Sequence, residues 1–207
     1  HSYNNKFGVP FSLSNLKNNN KYGVFEIGMD KKGEIYNLSK IVKPELAVIT
    51  NISQAHIKNF KNIKDIAKAK AEIIDNITED GTIILNKDDK FFNFFSRIAK
   101  RRKINVISFS CKKKADIALS NIKKNKSYYI LKINVKNKIF YFYVKYFTDN
   151  FLSNILACIS VLFALNLDLN ILKKKFVNFT IPNGRGDIRI IKKFKKRFKF
   201  IDESYNA

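Results

Sequence analysis

Residues 47–89, AVITNISQAHIKNFKNIKDIAKAKAEIIDNITEDGTIILNKDD, limit what this chain can fold into more than any other stretch. A short apolar run at 46–50 leads into a polar loop, then a segment of helical period, then a second apolar run at 82–85. Within 62–74, Ile63, Ile66, Ala67, Ala69, Ile73 and Ile74 recur close to every 3.6 residues. Two buried strands joined by an amphipathic helix make a parallel β-α-β unit, and such a sheet needs helices on its faces.

The same rhythm continues on both sides. Residues 22–27 (YGVFEI) read as a strand that ends in a turn at Gly28, and 34–41 as a short helix that Pro44 separates from the next strand. Residues 90–100 read as a helix and 105–109 as a strand. The expected fold is therefore α/β, a doubly wound and mainly parallel sheet. The texture then changes. Residues 115–119, 127–135 and 138–146 alternate apolar and polar positions, with Lys136-Asn137 as a tight turn. That pattern describes an antiparallel meander with one wet face. Residues 154–165 and 169–176 read as helices, and 187–191 and 198–201 as two further strands around the basic run 192–199. The loop 180–186 is the best boundary, dividing the chain into 1–182 and 183–207.

With 207 residues and 45% hydrophobic content, the chain can bury a sizeable core. The net charge of +23 comes mostly from lysines spread along the whole length. A nucleic-acid surface would gather Arg and aromatics in one module, so no nucleic-acid partner is expected. The positive field would favour an anionic substrate or a nucleotide. Cys111 and Cys158 sit in unrelated segments and suggest neither a disulfide framework nor a zinc site, only thiols in a reducing cytoplasm. No apolar run approaches the ~20 residues of a membrane span. No signal segment opens the chain, and with no initial Met something is expected to precede it.

Few residues suggest chemistry by themselves. His56 follows a buried strand by a few residues, where open α/β sheets bind ligands, yet a lone loop histidine is more often incidental. Glu26 ends an otherwise apolar strand, either at its wet end or as a metal ligand. Lys68 and Lys70 are two apart on one helix, so at most one faces such a site, and on spacing alone both read as solvated. No GxxxxGK[ST], GxGxxG or GxSxG motif occurs.

Taken together and in order, the motifs resemble the Mur ligase family. Tyr3-Asn4-Asn5 with Gly8-Val9-Pro10 is similar to its NNxxGVP segment, and Phe25 to Met29 with Gly33-Glu34-Ile35 to its ELG(A/M)NHxGEI segment. Residues 49–56 resemble ITNIxxAH, Ala67-Lys68-Ala69-Lys70-Ala71-Glu72-Ile73 the AKAEI helix, and Leu85 to Asp89 the LNxDD turn. Gly184-Arg185 and residues 201–207 (IDESYNA) resemble the GR loop and the DESYNANP motif. Asp30-Lys31 and Asn150 depart from the family's Asn-His and His.

The resemblance implies a central ATP-binding domain (1–182) and the first strands of a Rossmann-like C-terminal domain (183–207). It implies an ATP- and Mg²⁺-dependent amide-bond ligase that works through an acyl phosphate. The SYNA ending points to the branch that joins D-Ala-D-Ala to UDP-MurNAc-tripeptide, rather than to a sibling or a folylpolyglutamate synthetase. By the same resemblance Glu26, His56 and Lys70 would bind metal, with Lys70 as a carbamate and Lys70 and His56 catalytic. Asn154 would approach the adenine, Arg185 the phosphates, and Asp202 and Glu203 the ribose. Asn4, Asn5, Tyr205 and Asn206 would face the substrate. The phosphate loop and the uridine-binding domain that the family carries are expected upstream, so the 207 residues alone are expected to be an inactive, monomeric, cytoplasmic piece. A degenerate homologue is the rival reading.

Overall fold

The computed structural model describes residues 3–53, 59–179, 184, 187–202 and 204, with only the backbone at 187 and 188. Strands β1 (Leu46–Ile49), β2 (Thr82–Asn86) and β3 (Asn105–Ser110) run parallel in register Ala47–Ile83–Val106. They are followed by β4 (Ile117–Lys124), β5 (Tyr129–Val135) and β6 (Lys138–Val144), and all six form one sheet in chain order. Helices α1 (Gly8–Ser14) and α2 (Glu34–Val42) precede β1, α3 (Ile63–Ala71) and α4 (Phe92–Arg101) link the parallel strands, and α5 (Asp149–Ala164) follows β6.

Alternation along β2 decides the layering. Ile83 and Leu85 point into one core with Ile66, Ala67 and Ala69 of α3 and Phe95 and Ala99 of α4. Ile84 points the other way, into a core with Leu152, Ile155, Leu156 and Ile159 of α5. Successive strand residues face opposite sides, so a run of three buried apolar residues needs cover on both. The expected α/β sheet with helices on both faces is present, as one mixed parallel and antiparallel sheet of six strands, and the meander is not a separate unit but its continuation. A parallel link of only six residues joins β3 to β4, where a crossover usually needs a dozen or more. It suffices because only Phe109–Ile117 and Ser110–Ala118 pair, so β4 starts where β3 stops.

That short loop is held by Asp116. Its Oδ2 accepts from the Ser108 amide at 2.9 Å and the Ser108 hydroxyl at 2.6 Å, and its Oδ1 pairs with Lys136 at 2.8 Å. Lys136 and Asn137 both adopt positive φ, as a type I′ hairpin turn requires.

Three sequence expectations need correction. Residues 22–27 belong to no strand among the described residues, and Val24 is 95% exposed. High β propensity marks a fit to a pleated, half-buried surface and does not by itself pair a segment into a sheet. Residues 169–176 form two 3₁₀ turns, Leu169–Leu172 and Lys175–Asn178, because Asp168 accepts from the Asn170 amide at 2.9 Å and closes a tighter turn. α5 starts at Asp149, earlier than residue 154, under a Thr148 cap. α1 was not anticipated. It starts where the Asn5 side chain accepts from the amides of Phe7 and Gly8. Finally, β7 (Asp187–Lys193) and β8 (Lys196–Asp202) form a two-stranded hairpin that turns at Phe194 and Lys195, both at positive φ.

Asp116 offers a test of the β3–β4 junction. Burial opposes its charge, but the bonds from Lys136 and Ser108 outweigh that and hold its carboxyl below the ordinary range. Asp116→Asn should cost about 1.5–3 kcal/mol in urea unfolding at neutral pH, the usual value of bonds to a charged group. A lowered folded-state value stabilises above the unfolded one, so the gap to wild type should stay level down to about pH 4 and close below it.

Candidate functional site

The parallel strands bring three carboxyl ends together, and the turn after β2 joins them. Asn86 Nδ2 donates to the Thr50 carbonyl at 3.0 Å, at the end of β1. Asp88 accepts from the Ser110 hydroxyl at 2.6 Å and the Cys111 amide at 2.7 Å, at the end of β3. Asp89 accepts from the Ile52 amide at 2.8 Å. Strand ends expose unpaired backbone groups, and short Asn and Asp side chains satisfy them locally. The LNKDD turn is thus a clamp across β1, β2 and β3.

Lys70 reaches the same place. Asn62 caps α3 by accepting from the amides of Lys64 and Asp65, and Ile66, Ala67 and Ala69 turn into the core. This rotation leaves Lys68 outside, 3.4 Å from Asp65 with its side chain 64% exposed. Lys70 is half-buried and its Nζ donates to the Asn51 carbonyl at 3.1 Å. Burial pushes the Lys70 ammonium below the usual lysine range, and the Asp89 carboxylate pulls it partly back. Of the two lysines, only Lys70 lies at the strand end.

Glu26 lies on the segment before α2, where Ile27 and Met29 anchor it in the same core as Ile49, Ile52 and Ala69. Its Oε1 accepts from Asn4 Nδ2 at 2.8 Å, so Asn4 and Glu26 are brought together. The Gly28 amide donates to the Asn4 carbonyl at 2.8 Å. A Cβ at Gly28 would come within 2.9 Å of Asn4 Nδ2, so a side chain there would displace Asn4 from Glu26. Asn5, expected to face substrate, spends its side-chain oxygen on the start of α1.

Glu72 is a contact that sequence reading missed. Its carboxylate accepts from the Gly33 amide at 2.8 and 3.0 Å and the Tyr36 amide at 3.2 Å, holding the start of α2. The GEI and AKAEI motifs are thereby joined, and their co-occurrence was the only sequence signal of it.

Asn154 is exposed on α5, next to Ser153, whose hydroxyl lies 3.5 Å from Asn86 Nδ2. That places the first turns of α5 beside the carboxyl end of β2. Asp202 ends β8 and accepts from the Ser204 hydroxyl at 2.6 Å and its amide at 3.1 Å, which lowers its carboxyl pKa. His56, Arg185, Glu203, Tyr205 and Asn206 lie outside the described residues.

The residues fit magnesium in part. A hard cation takes carboxylate oxygens, and Glu26 supplies one. Among the described residues no group of three or more His, Cys, Asp or Glu could hold a metal. A complete set would therefore draw on His56 and on a carboxylate made from Lys70. Two surface depressions, of about 240 Å³ beside Tyr141 and Tyr143 and about 740 Å³ beside Lys112 and Asp116, lie away from Glu26 and Lys70.

Residues 1–162 match the Mur ligase middle domain. The chain is 32% identical over 204 residues to the UDP-N-acetylmuramoyl-tripeptide–D-alanyl-D-alanine ligase of Buchnera aphidicola subsp. Baizongia pistaciae, covering 99% of this chain and 43% of that protein. The crystal structure of MurF from Acinetobacter baumannii superposes with a TM-score of 0.86 at 28% identity, over 100% of this chain and 44% of that one. MurF ligase from Thermotoga maritima, in complex with ADP, shares the fold with a TM-score of 0.72 at 24% identity, over 89% of this chain and 42% of that one. The chain thus spans less than half the length of these relatives. With the middle-domain match running over most of its length and the clamp set at the strand ends, this chain belongs to the Mur ligase family.

Proposed function

We propose that this chain is the central part of an ATP-dependent ligase that adds D-Ala-D-Ala to UDP-MurNAc-tripeptide. The observation that carries this reading is the similarity along the whole chain to a ligase of that name. Family members are ATP-dependent ligases, and a fold neighbour carries ADP. In this reading the tripeptide carboxylate attacks the γ-phosphorus of ATP and ADP leaves. The amine of D-Ala-D-Ala then attacks the acyl phosphate, inorganic phosphate leaves, and the amine loses a proton. Catalysis of such a transfer is mostly positioning and charge neutralisation.

Bound magnesium would supply that neutralisation at the phosphoryl oxygens. Glu26 would be a ligand, with Asn4 fixing its carboxylate, and His56 a second. Lys70 would be the third, as a carbamate, and be catalytic together with His56. Carbamate formation needs a neutral amine, and the burial that lowers the Lys70 pKa favours one. Asn154 would meet the adenine from α5, Arg185 the phosphates, and Asp202 and Glu203 the ribose. Asn4, Tyr205 and Asn206 would face the substrate, with Asn5 acting through the start of α1. The departures at Asp30, Lys31 and Asn150 lie outside this set.

We also place a domain boundary at 182–183. The hairpin that follows leaves Ile190 69% and Ile201 51% exposed on one face, and Phe198 47% and Phe200 46% exposed on the other. Isolated two-stranded hairpins are marginal, so this one calls for further cover from the rest of a C-terminal domain. The enzyme is placed in the cytoplasm as a monomer without a nucleic-acid partner. Among the described residues no helix is long and apolar enough to cross a membrane.

Two results would test this reading. In the ligase polypeptide that contains this chain, Lys70→Ala should lose at least ~100-fold in kcat, the scale of a lost metal contact, and formate or acetate should restore part of it. Full activity in Lys70→Ala would remove the carbamate role. Residues 1–207 alone, with all substrates, should release no phosphate, because the sequence holds no phosphate loop. Turnover by the 207 residues would show that ATP is held by some other means.

A further inference from the structure

The tip of the β7–β8 hairpin combines three features that work against its own stability. The turn residues Phe194 and Lys195 have φ of 52° and 58°. Such a turn favours Asn, Asp or Gly, and a bulky side chain at positive φ is out of place there. Next, cross-strand neighbours carry like charge, with Lys193 opposite Lys196 and Lys192 opposite Arg197. Like charges directly opposite one another repel. Finally, Phe194 is 78% exposed, with the Lys193 ammonium 5.2 Å from its ring centre. The β5–β6 turn, also at positive φ, shows the contrast. It has Asn137 in its second place, and its Lys136 is paired with Asp116.

The charge at this tip is local. Six of the eight residues 192–199 are basic, against 40 in all 207. Among the described residues none of the six pairs with a carboxylate. Successive strand residues point to opposite faces, so Lys193 and Lys196 lie on one face and Lys192 and Arg197 on the other. The end of the hairpin is therefore a collar of cations around an exposed phenyl group.

An anionic lipid surface relieves each conflict. The collar meets phosphate groups, which screen the like charges from one another. The phenyl group leaves water, and its burial offsets the left-handed turn. The dimensions agree. Lys192 and Arg197 stand two residues behind the turn, about 7 Å by the rise of a strand. The polar layer of one leaflet is about 5–8 Å thick, so with Phe194 at its base the collar lies within it. A nucleic-acid site is built otherwise, with Arg forks and aromatic rings on which bases stack. Here five of the six cations are Lys, and the aromatic group stands at the point of the turn. Lys195 and Asp202 are seven residues apart on β8, about 23 Å, so contact at the tip leaves the far end of the hairpin free.

We infer that the β7–β8 tip docks the protein on an anionic lipid surface, with Phe194 below the headgroups and the flanking lysines at the level of the phosphates. This contact is separate from the ligase chemistry and stands or falls without it.

The test uses the polypeptide that contains this chain, sedimented with vesicles of phosphatidylcholine and roughly one-third phosphatidylglycerol at about 0.1 M salt. It should bind these vesicles, leave pure phosphatidylcholine unbound, and come off at about 1 M salt. Changing Lys192, Lys193, Lys195 and Lys196 together to Gln should weaken binding at least ~100-fold, at about fivefold per cation. Changing Lys123, Lys124, Lys126 and Lys138 to Gln removes the same charge from the meander and should leave binding near wild type. Phe194→Asn should weaken it about tenfold while Tm holds or rises, because Asn suits the turn. Residues 1–207 contain no Trp, so Phe194→Trp in that chain is a single reporter, whose emission should move to the blue on the anionic vesicles.

Equal weakening by the two lysine sets would overturn the inference, since the overall positive field would then suffice. Undiminished binding in Phe194→Asn, or unshifted emission in Phe194→Trp, would overturn the insertion at the tip. Retention on poly(U) that is lost with the first lysine set, without vesicle binding, would make the tip a nucleic-acid surface and overturn the inference as well.

Discussion

The rest of this structure depends on how the open ends of a parallel sheet are closed. At the carboxyl end of β1, β2 and β3, each strand leaves backbone groups that no neighbouring strand can pair. In this chain one four-residue turn closes all three, with Asn86 on Thr50, Asp89 on Ile52, and Asp88 on Ser110 and Cys111. The loops above the sheet thus start from a rigid floor. That arrangement suits function on loops, since a rigid scaffold positions them. It also explains why a turn so close to the proposed site has no free carboxylate. Asp88 and Asp89 have both oxygens engaged with the chain itself.

The same economy governs the lysines. Charge alone says little in a chain where Lys and Arg total 40. What separates Lys70 from its neighbours is the rotation of α3, which the small side chains of Ala67 and Ala69 allow by packing close to the sheet. Positions two apart on a helix lie about 200° round its axis, and here Lys70 falls on the sheet side and Lys68 in water. Lys68 found Asp65, and Lys70 found a backbone carbonyl.

Much of this was legible in the sequence, and the failures share a cause. The order β1, α3, β2, α4, β3 follows from local periodicity, and local periodicity survives folding when both faces of the sheet are covered. Glu72 was illegible because its partner, Gly33, lies 39 residues earlier. The clamp residues were visible as a motif but not as a clamp, for Asp89 meets Ile52 across 37 residues. Residues 22–27 were misread for the opposite reason. Their local signal was clear, but a strand also needs an open neighbour of the right register, and composition cannot announce that. Of the proposed site, Lys70 is found just past the end of β1 and Glu26 beside Asn4, whereas the resemblance alone carries His56, Arg185 and Glu203.

The hairpin β7–β8 shows the limit of local consistency from the other side. Its strands pair along seven residues in unbroken register, so every local rule is met. Yet Ile190 and Ile201 share one face, Ile191, Phe198 and Phe200 share the other, and all five are exposed. A sheet wet on one side alternates apolar and polar positions, and a surface hairpin would show that alternation. Apolar residues on both faces are the mark of strands in the middle of layers, as in β2, where Ile83 and Ile84 point to opposite cores and are fully buried. The two elements carry the same sequence signature in opposite environments. The hairpin therefore has the character of an inner element of a layered sheet, and its stability should depend on cover for both faces more than on its own hydrogen bonds.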